Sequence, residues 1–336
     1  MADRRVDSLI KNTSVLALGT IFPKLAVFIT LPILTANLST EEYGTYDLIL
    51  VLVSMVLPIA TLQIHSAAFR FLIDRRDDTE YRKRIISNIY VFVLGISVLT
   101  LTVFYFIIRN KIPGLGFLIC LYFLMDTFAC ASRYVIRGLG KNIHYSISAV
   151  ISALGQVLFI YLLVGHYQWG LRGGIFALLV AESFSCIYLV LSGRLYLYFR
   201  PAYFSWGQIK ELLAYSWPLV PNNFSSWVIR ASNRLIIAAS LGLTANGIFG
   251  VANKIPAILG LAHSTFNMAW QENASITSSD ADVAHYYSKT FDQLYRFAAG
   301  LMGLLVAITP FLFRLLIRGS YDEAYPKRQP SHPVGY

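Results

Sequence analysis

Nine long apolar runs joined by short loops limit this chain more than any other feature of its sequence. They cover roughly residues 13–36, 46–73, 85–108, 113–134, 144–164, 170–192, 212–240, 246–270 and 291–317. A hydrocarbon core about 30 Å thick takes about 20 apolar residues of helix, and every run reaches that length. The runs are too long for barrel strands and do not alternate with period two. Each therefore reads as a helix, which satisfies its own backbone in lipid. The seventh, eighth and ninth are more polar than the others. Composition points the same way: 56% of the 336 residues are hydrophobic and 14% charged, against about 25% charged in a soluble domain. So little charge does not cover a water-facing surface. The expected fold class is an all-α, multi-pass membrane protein.

The net charge of +10 would suggest nucleic acid in a soluble protein. Here the Lys and Arg residues collect in the gaps between apolar runs, so membrane lipids are expected partners and nucleic acid is not. With the N-terminus in the cytoplasm, the inside segments hold Arg4, Arg5, Lys11, Arg75, Arg76, Arg82, Lys83, Arg84, Arg133, Arg137, Lys141, Arg194, Arg200, Lys210 and Lys289, a total of 15. The outside loops hold Arg109, Lys111 and Arg172, a total of 3. That bias places the N-terminus inside; Arg314 and Arg318, at the end of the ninth run, fall outside the pattern. The polar start, residues 1–12, does not resemble a cleavable signal peptide. No loop is long enough for a soluble catalytic head. Cys120, Cys130 and Cys186 sit in apolar runs without CxxC spacing and read as buried, inert thiols. No nucleophile triad, phosphate-cradling loop or metal-ligand spacing is present, and an enzyme is not expected. The mixed-charge run 74–84, with Asp77 and Asp78, reads as a solvated loop.

Residues 37–48 and 240–251 resemble one another at an offset of 203, pairing Leu38 with Leu241, Gly44 with Gly247 and Tyr46 with Phe249. Six runs separate the two copies, so both enter the membrane in the same direction. This is a parallel repeat, an arrangement that places substrate between two lobes in many transporters. Residues 1–200 are expected to form a first six-helix lobe and 201–325 an incomplete second lobe of about three helices. The polar, proline-bearing tail 326–336 is expected to be disordered. The change after Tyr325 suggests a truncated or frame-shifted product lacking about 60–70 residues; the alternative is a nine-helix protein.

The stretch from Asn12 to Phe71 carries Asn12, Pro32, the Tyr43-Gly44-x-Tyr46 turn and Arg70-Phe71. The stretch from Tyr215 carries Pro218, Asn233-Arg234, Leu241-Gly242, Gly247, Phe249, Lys254 and Pro256. Together these resemble the bacterial polysaccharide-biosynthesis family, the O-antigen-type oligosaccharide flippases of the superfamily that also holds the multidrug and toxic compound exporters. The resemblance covers residues 8 to about 325. It departs at Asn233, where the family often has Asp, at Phe249, often Tyr, and in the last helices. It implies two lobes around a central cavity. It also implies alternating-access transfer of undecaprenyl-diphosphate-linked oligosaccharides across the inner membrane, for O-antigen, capsule or exopolysaccharide. Association with polysaccharide polymerase machinery would accompany that role. No cofactor is expected beyond coupling to a proton or sodium gradient.

Charge inside a span is costly and marks candidate site residues. In the seventh run Asn222, Ser226, Arg230 and Arg234 recur every four residues, one helical face beside Trp217, Pro218 and Pro221. Arginine can bind phosphate oxygens in a bidentate fork, which suits a cavity facing a diphosphate; the competing reading is an Arg pair snorkelling to headgroups. Lys24, after Pro23, is a further cavity candidate. Lys254 precedes Pro256, and His263, Asn267 and Gln271 form a polar face that suits either cavity or packing. Arg70, with Gln63 and Ser66, either meets an entering headgroup or anchors the helix. His65 reads as a packing residue. Asp126 and Glu182 are isolated acids, expected to pair with a cation, the other reading being ion coupling. Five intramembrane cations against two acids favour an anionic substrate over a cationic drug. The alternatives are a small-molecule exporter of the same fold, a membrane polymerase or acyltransferase, and a non-functional fragment.

Overall fold

The computed structural model describes residues 2–108, 114–260, 283–318 and 321. Within these, the side chains of 2–18, 74, 104, 107, 108, 230 and 283–286 are outside the description. Among the described residues the regular structure is helical throughout. The helices are α1 (Ala2–Asn37), α2 (Thr40–Ala60), α3 (Ile64–Asp74), α4 (Thr79–Ile108), α5 (Gly116–Gly138), α6 (Asn142–Ile160, continued as a π turn over Tyr161–His166), α7 (Gly170–Ser192), α8 (Trp206–Ser216), α9 (Leu219–Ser240), α10 (Gly242–Ala252) and α11 (Val283–Leu316).

Seven of these helices, rather than the nine expected, are long and apolar enough to cross a membrane among the described residues: α1 from Gly19, α2, α4, α5, α6 with its π turn, α7 and α11. One correction, and the end of the described stretch at residue 260, account for the difference. The run 212–240 is split, because two prolines, Pro218 and Pro221, follow Trp217 and cannot donate to a continuing ladder; α8 and α9 result. Between Asn222 and Arg234, α9 is too rich in polar side chains to count as apolar. The eighth run is described only as far as 260, and α10 itself is 11 residues long; His263, Asn267, Gln271 and the tail 326–336 lie outside the described residues.

The run 46–73 is also not one helix. Pro58 leaves the Ser54 carbonyl without its helical donor. Four and five residues later Leu62 and Gln63 adopt φ of +47° and +56°, a left-handed region rarely taken by residues with a Cβ. Thr61 closes α2, its N–H and hydroxyl both donating to Leu57 O at 3.0 and 2.8 Å. At its other end α2 begins as the sequence dictates. Ser39 Oγ accepts from Glu42 N at 3.2 Å and Glu42 Oε2 accepts from Ser39 N at 3.0 Å, a reciprocal capping box.

Helices α1 to α7 form one bundle with two apolar clusters. One joins Leu31, Tyr43, Tyr46, Ile119, Phe123, Ile160 and Ile175. The other joins Ile64, Leu72, Ile85, Ile89, Val135 and Leu189, and takes in Leu212 of α8. The connector from α7 to α8 is two 3₁₀ turns, Leu195–Leu197 and Pro201–Tyr203. Two polar residues buried in α4 hold it. Asn88 donates to Tyr203 O at 2.9 Å and accepts from Ser205 N at 2.8 Å, and Ser87 Oγ accepts from Arg200 N at 2.9 Å. Helix α11 meets the bundle at its last turns, where Phe313 and Leu316 pack on the first cluster beside Tyr321. Arg318 N donates to Thr35 Oγ1 at 3.0 Å there.

Candidate transport cleft

Asp47, Val51, Ser54 and Pro58 recur at helical spacing and share one face of α2. Opposite them stands the face of α9 that carries Asn223, Trp227, Ala231 and Arg234. Between the two helices lies an open cleft of about 440 Å³ lined by Val51, Ser54, Pro58, Asn223, Trp227, Ala231 and Arg234. Trp227 fixes the spacing of its walls: its indole Nε1 donates to Ser54 Oγ at 3.1 Å and to Val51 O at 3.3 Å.

At the α1–α2 end the cleft is closed by an ion cluster. Asp47 is 1% exposed. Arg234 Nη1 donates to its Oδ1 at 3.0 Å and lies 2.8 Å from its Oδ2. Lys254 Nζ stands 3.5 Å from Oδ1. Asp47 Oδ2 accepts no hydrogen bond from the described residues. Gly250 makes room for the carboxylate, since a Cβ there would sit 3.1 Å from Oδ2. The electrostatic neighbours of Lys254 are Asp47 and Arg234, so the cluster sets two cations against one carboxylate.

One turn from Asp47, α2 and α10 meet backbone to backbone. A Cβ on Gly44 would lie 1.9 Å from Leu243 O, and one on Gly247 would lie 2.2 Å from Thr40 O. Asn246, fully buried, donates from Nδ2 to Gly44 O at 2.9 Å. The two glycines matched by the repeat thus pack against each other, and only residues without side chains permit it.

The expected site residues divide. Arg234 and Lys254 come together, on an acid that had not been singled out. Asn222 is exposed and Ser226 half-buried, and neither lines the cleft; the cleft-facing row of α9 starts one residue later, at Asn223. Arg230 belongs to α9, but its side chain lies outside the described residues. Lys24 is half-buried in α1 and Arg70 exposed on α3; neither lines the cleft. His65 is buried with its ring edge-on to Tyr134, centroids 4.7 Å apart.

Asp126 and Glu182 belong to a second polar cluster inside the α1–α7 bundle. Glu182 of α7 is ion-paired with Arg133 of α5 and accepts from Ser152 Oγ of α6 at 2.7 Å. Asp126, two turns before Arg133, lies within electrostatic reach of both. Arg133 is therefore a helix residue with an internal partner rather than a loop charge. Removing it takes the inside count from 15 to 14 and leaves the bias intact. Adding Arg133 to the intramembrane cations and Asp47 to the acids changes five against two into six against three.

The all-helical bundle, with its polar cleft between α2 and α9, shares its fold with solved multi-pass transporters. The chain belongs to the polysaccharide biosynthesis protein family, which its residues 9–270 match. It is similar to a multidrug resistance MATE family transporter of the MOP superfamily in its inward-facing conformation, with a TM-score of 0.67 at 14% identity, over 90% of this chain and 75% of that one. The outward-facing conformation of such a transporter gives 0.61 at 14% identity, over 94% and 75%. A MOP superfamily transporter from Pyrococcus furiosus, described as having a binding pocket of reversed polarity, gives 0.59 at 12% identity, over 94% and 75%. No curated protein sequence matches the chain.

Proposed function

We propose that this protein carries undecaprenyl-diphosphate-linked oligosaccharides across the bacterial inner membrane, from the cytoplasmic to the outer leaflet, by alternating access. The observation that carries this reading is the surplus positive charge at the end of the cleft, where Arg234, which lines it, and Lys254 behind it share the single carboxylate of Asp47. A buried surplus of one sign attracts the opposite sign strongly, because little water screens it. It favours a diphosphate and repels a cationic drug. The 440 Å³ cleft suits the headgroup region of such a lipid, with its open side leaving the prenyl chain in the bilayer. With the N-terminus cytoplasmic, the α2–α10 seam faces the periplasm, and the chain is closed on that side. Membership of the polysaccharide biosynthesis family supports the sugar-lipid assignment. So does the likeness to a MOP transporter whose pocket polarity is described as reversed.

The test is reconstitution of the chain in liposomes carrying either a fluorescent lipid-linked oligosaccharide or a cationic dye. Loss of the sugar's protection from an externally added glycosidase is the expected result. Efflux of the dye with no movement of the sugar lipid would make the chain a small-molecule exporter instead.

A further inference from the structure

Behind the wall of the cleft one buried acid does the work of a ligand. Asp47 is almost wholly buried; a single nitrogen of Arg234, Nη1, serves both its oxygens, at 3.0 Å from Oδ1 and 2.8 Å from Oδ2, and Lys254 stands at 3.5 Å, beyond a good hydrogen bond. Two cations therefore share one carboxylate, and Lys254 is left without a close partner in it. Arg234 belongs to both the ion cluster and the lining of the cleft, so an anion entering the cleft reaches it directly.

We propose that Asp47 is a built-in stand-in for the substrate's phosphate: in the empty protein it occupies Arg234 and Lys254, and a phosphate of the entering ligand displaces it. The inference rests on the transport reading above and adds to it a coupling step. A diphosphate brings at least two charges and several oxygens. It can take both parallel N–H groups of the Arg234 fork and bring the Lys254 ammonium to bonding distance, which the lone carboxylate does not achieve. Displacement leaves Asp47 buried without a counter-charge, a costly state. Asp47 lies three residues from Gly44 on the same face of α2, and Gly250, which shapes its niche, lies three residues from Gly247 on α10. The stranded carboxylate is relieved when these two helices part and water reaches it. Binding of phosphate and opening of the α2–α10 seam are thus linked, and the linkage runs equally in both directions.

The reporter is Asn246, which is fully buried in the seam. Asn246→Cys is placed in a background with Cys120→Ala, Cys130→Ala and Cys186→Ala, and labelling by a water-soluble maleimide is timed with the protein in nanodiscs. Farnesyl diphosphate is the probe and farnesol the control. Labelling is expected to quicken about tenfold with the diphosphate and not with farnesol, a typical size for coupling between two sites. Asp47→Asn should bind the diphosphate more tightly, because the competitor is gone, and its labelling should no longer quicken with the diphosphate, because no carboxylate is left to strand. Lys254→Gln keeps the Asp47–Arg234 pair and should weaken binding about tenfold, in line with loss of a charge-assisted contact. That variant decides the matter if Asp47→Asn fails to fold. Weaker binding in Asp47→Asn, or unchanged binding in Lys254→Gln, overturns the displacement while leaving sugar-lipid transport standing. A wild-type chain that ignores the diphosphate and binds a cationic dye overturns both.

Discussion

Replacing Gly247 by alanine tests the seam directly. The new Cβ would lie 2.2 Å from Thr40 O, a backbone atom that cannot rotate away. Ordinary contact begins at 3.4 Å, so α2 and α10 must separate by the difference, 1.2 Å. The Asn246–Gly44 bond, now 2.9 Å, would then exceed 4 Å if it lengthened by the same amount, and be lost. Overpacking costs about 1–3 kcal/mol and the hydrogen bond about 0.5–1.5 kcal/mol, together roughly 2–4 kcal/mol. At about 2 °C per kcal/mol, the thermal midpoint of the detergent-solubilised protein should fall by roughly 4–8 °C. Gly95→Ala, inside α4, is the control: its Cβ would meet nothing within 4 Å. It should be neutral or stabilising by up to about 1 kcal/mol, since alanine is the better helix former. Equal midpoints for the two variants would refute the close approach of α2 and α10.

Ser39→Ala removes half of the α2 capping box and should cost about 0.5–2 kcal/mol in the same melting assay, with Ser39→Asp recovering most of it. Asn88→Leu orphans the Tyr203 carbonyl and the Ser205 N–H at the α7–α8 connector; at about 1–3 kcal/mol for each unsatisfied group, proteolysis near residues 200–205 should rise sharply. Glu182→Gln takes from Arg133 its direct ion-pair partner and should destabilise by about 3–5 kcal/mol, whereas the change of Arg133 and Glu182 to Met together with Asp126→Leu, which removes the whole charge cluster, should restore much of the midpoint. A triple variant as unstable as the single one would show that the cluster does more than neutralise itself. For orientation, Thr40→Cys in intact cells should react with an impermeant thiol reagent and Thr79→Cys should not; the opposite pattern would invert the charge-based topology.

Periodicity and loop length carried most of the fold. Apolar runs of 20 or more residues mark α1, α4, α5, α6, α7 and α11 without reference to anything outside the run, because a lipid-spanning helix satisfies its own backbone. Where the outcome depends on contacts between runs, the sequence says less. Pro58 marks the weak point of the second run, but nothing in the side chains of Leu62 and Gln63 signals the left-handed conformation they adopt. The split of α8 from α9 was signalled by Pro218 and Pro221 and was still submerged by the apolar residues on either side.

The site shows the same division. Arg234 and Lys254 stood out because charge in an apolar run demands a reason. Asp47 met that test too, and its place near the start of a run made it resemble an ordinary helix-terminal acid. Its partner lies 187 residues further along, and no spacing rule reaches that far. The repeat does reach: it pairs Gly44 with Gly247, and each glycine fixes what lies three residues on along its helix face. From Gly44 that residue is Asp47, and from Gly247 it is Gly250, the residue whose missing side chain admits the carboxylate. A repeat that places two glycines against each other therefore also places an acid on one helix opposite a vacancy on the other. Such a vacancy is filled only if cations close around it, as Arg234 and Lys254 do. Asymmetry between matched positions of a parallel repeat, here Asp47 against Gly250, is thus the sequence signal that could have located the cluster.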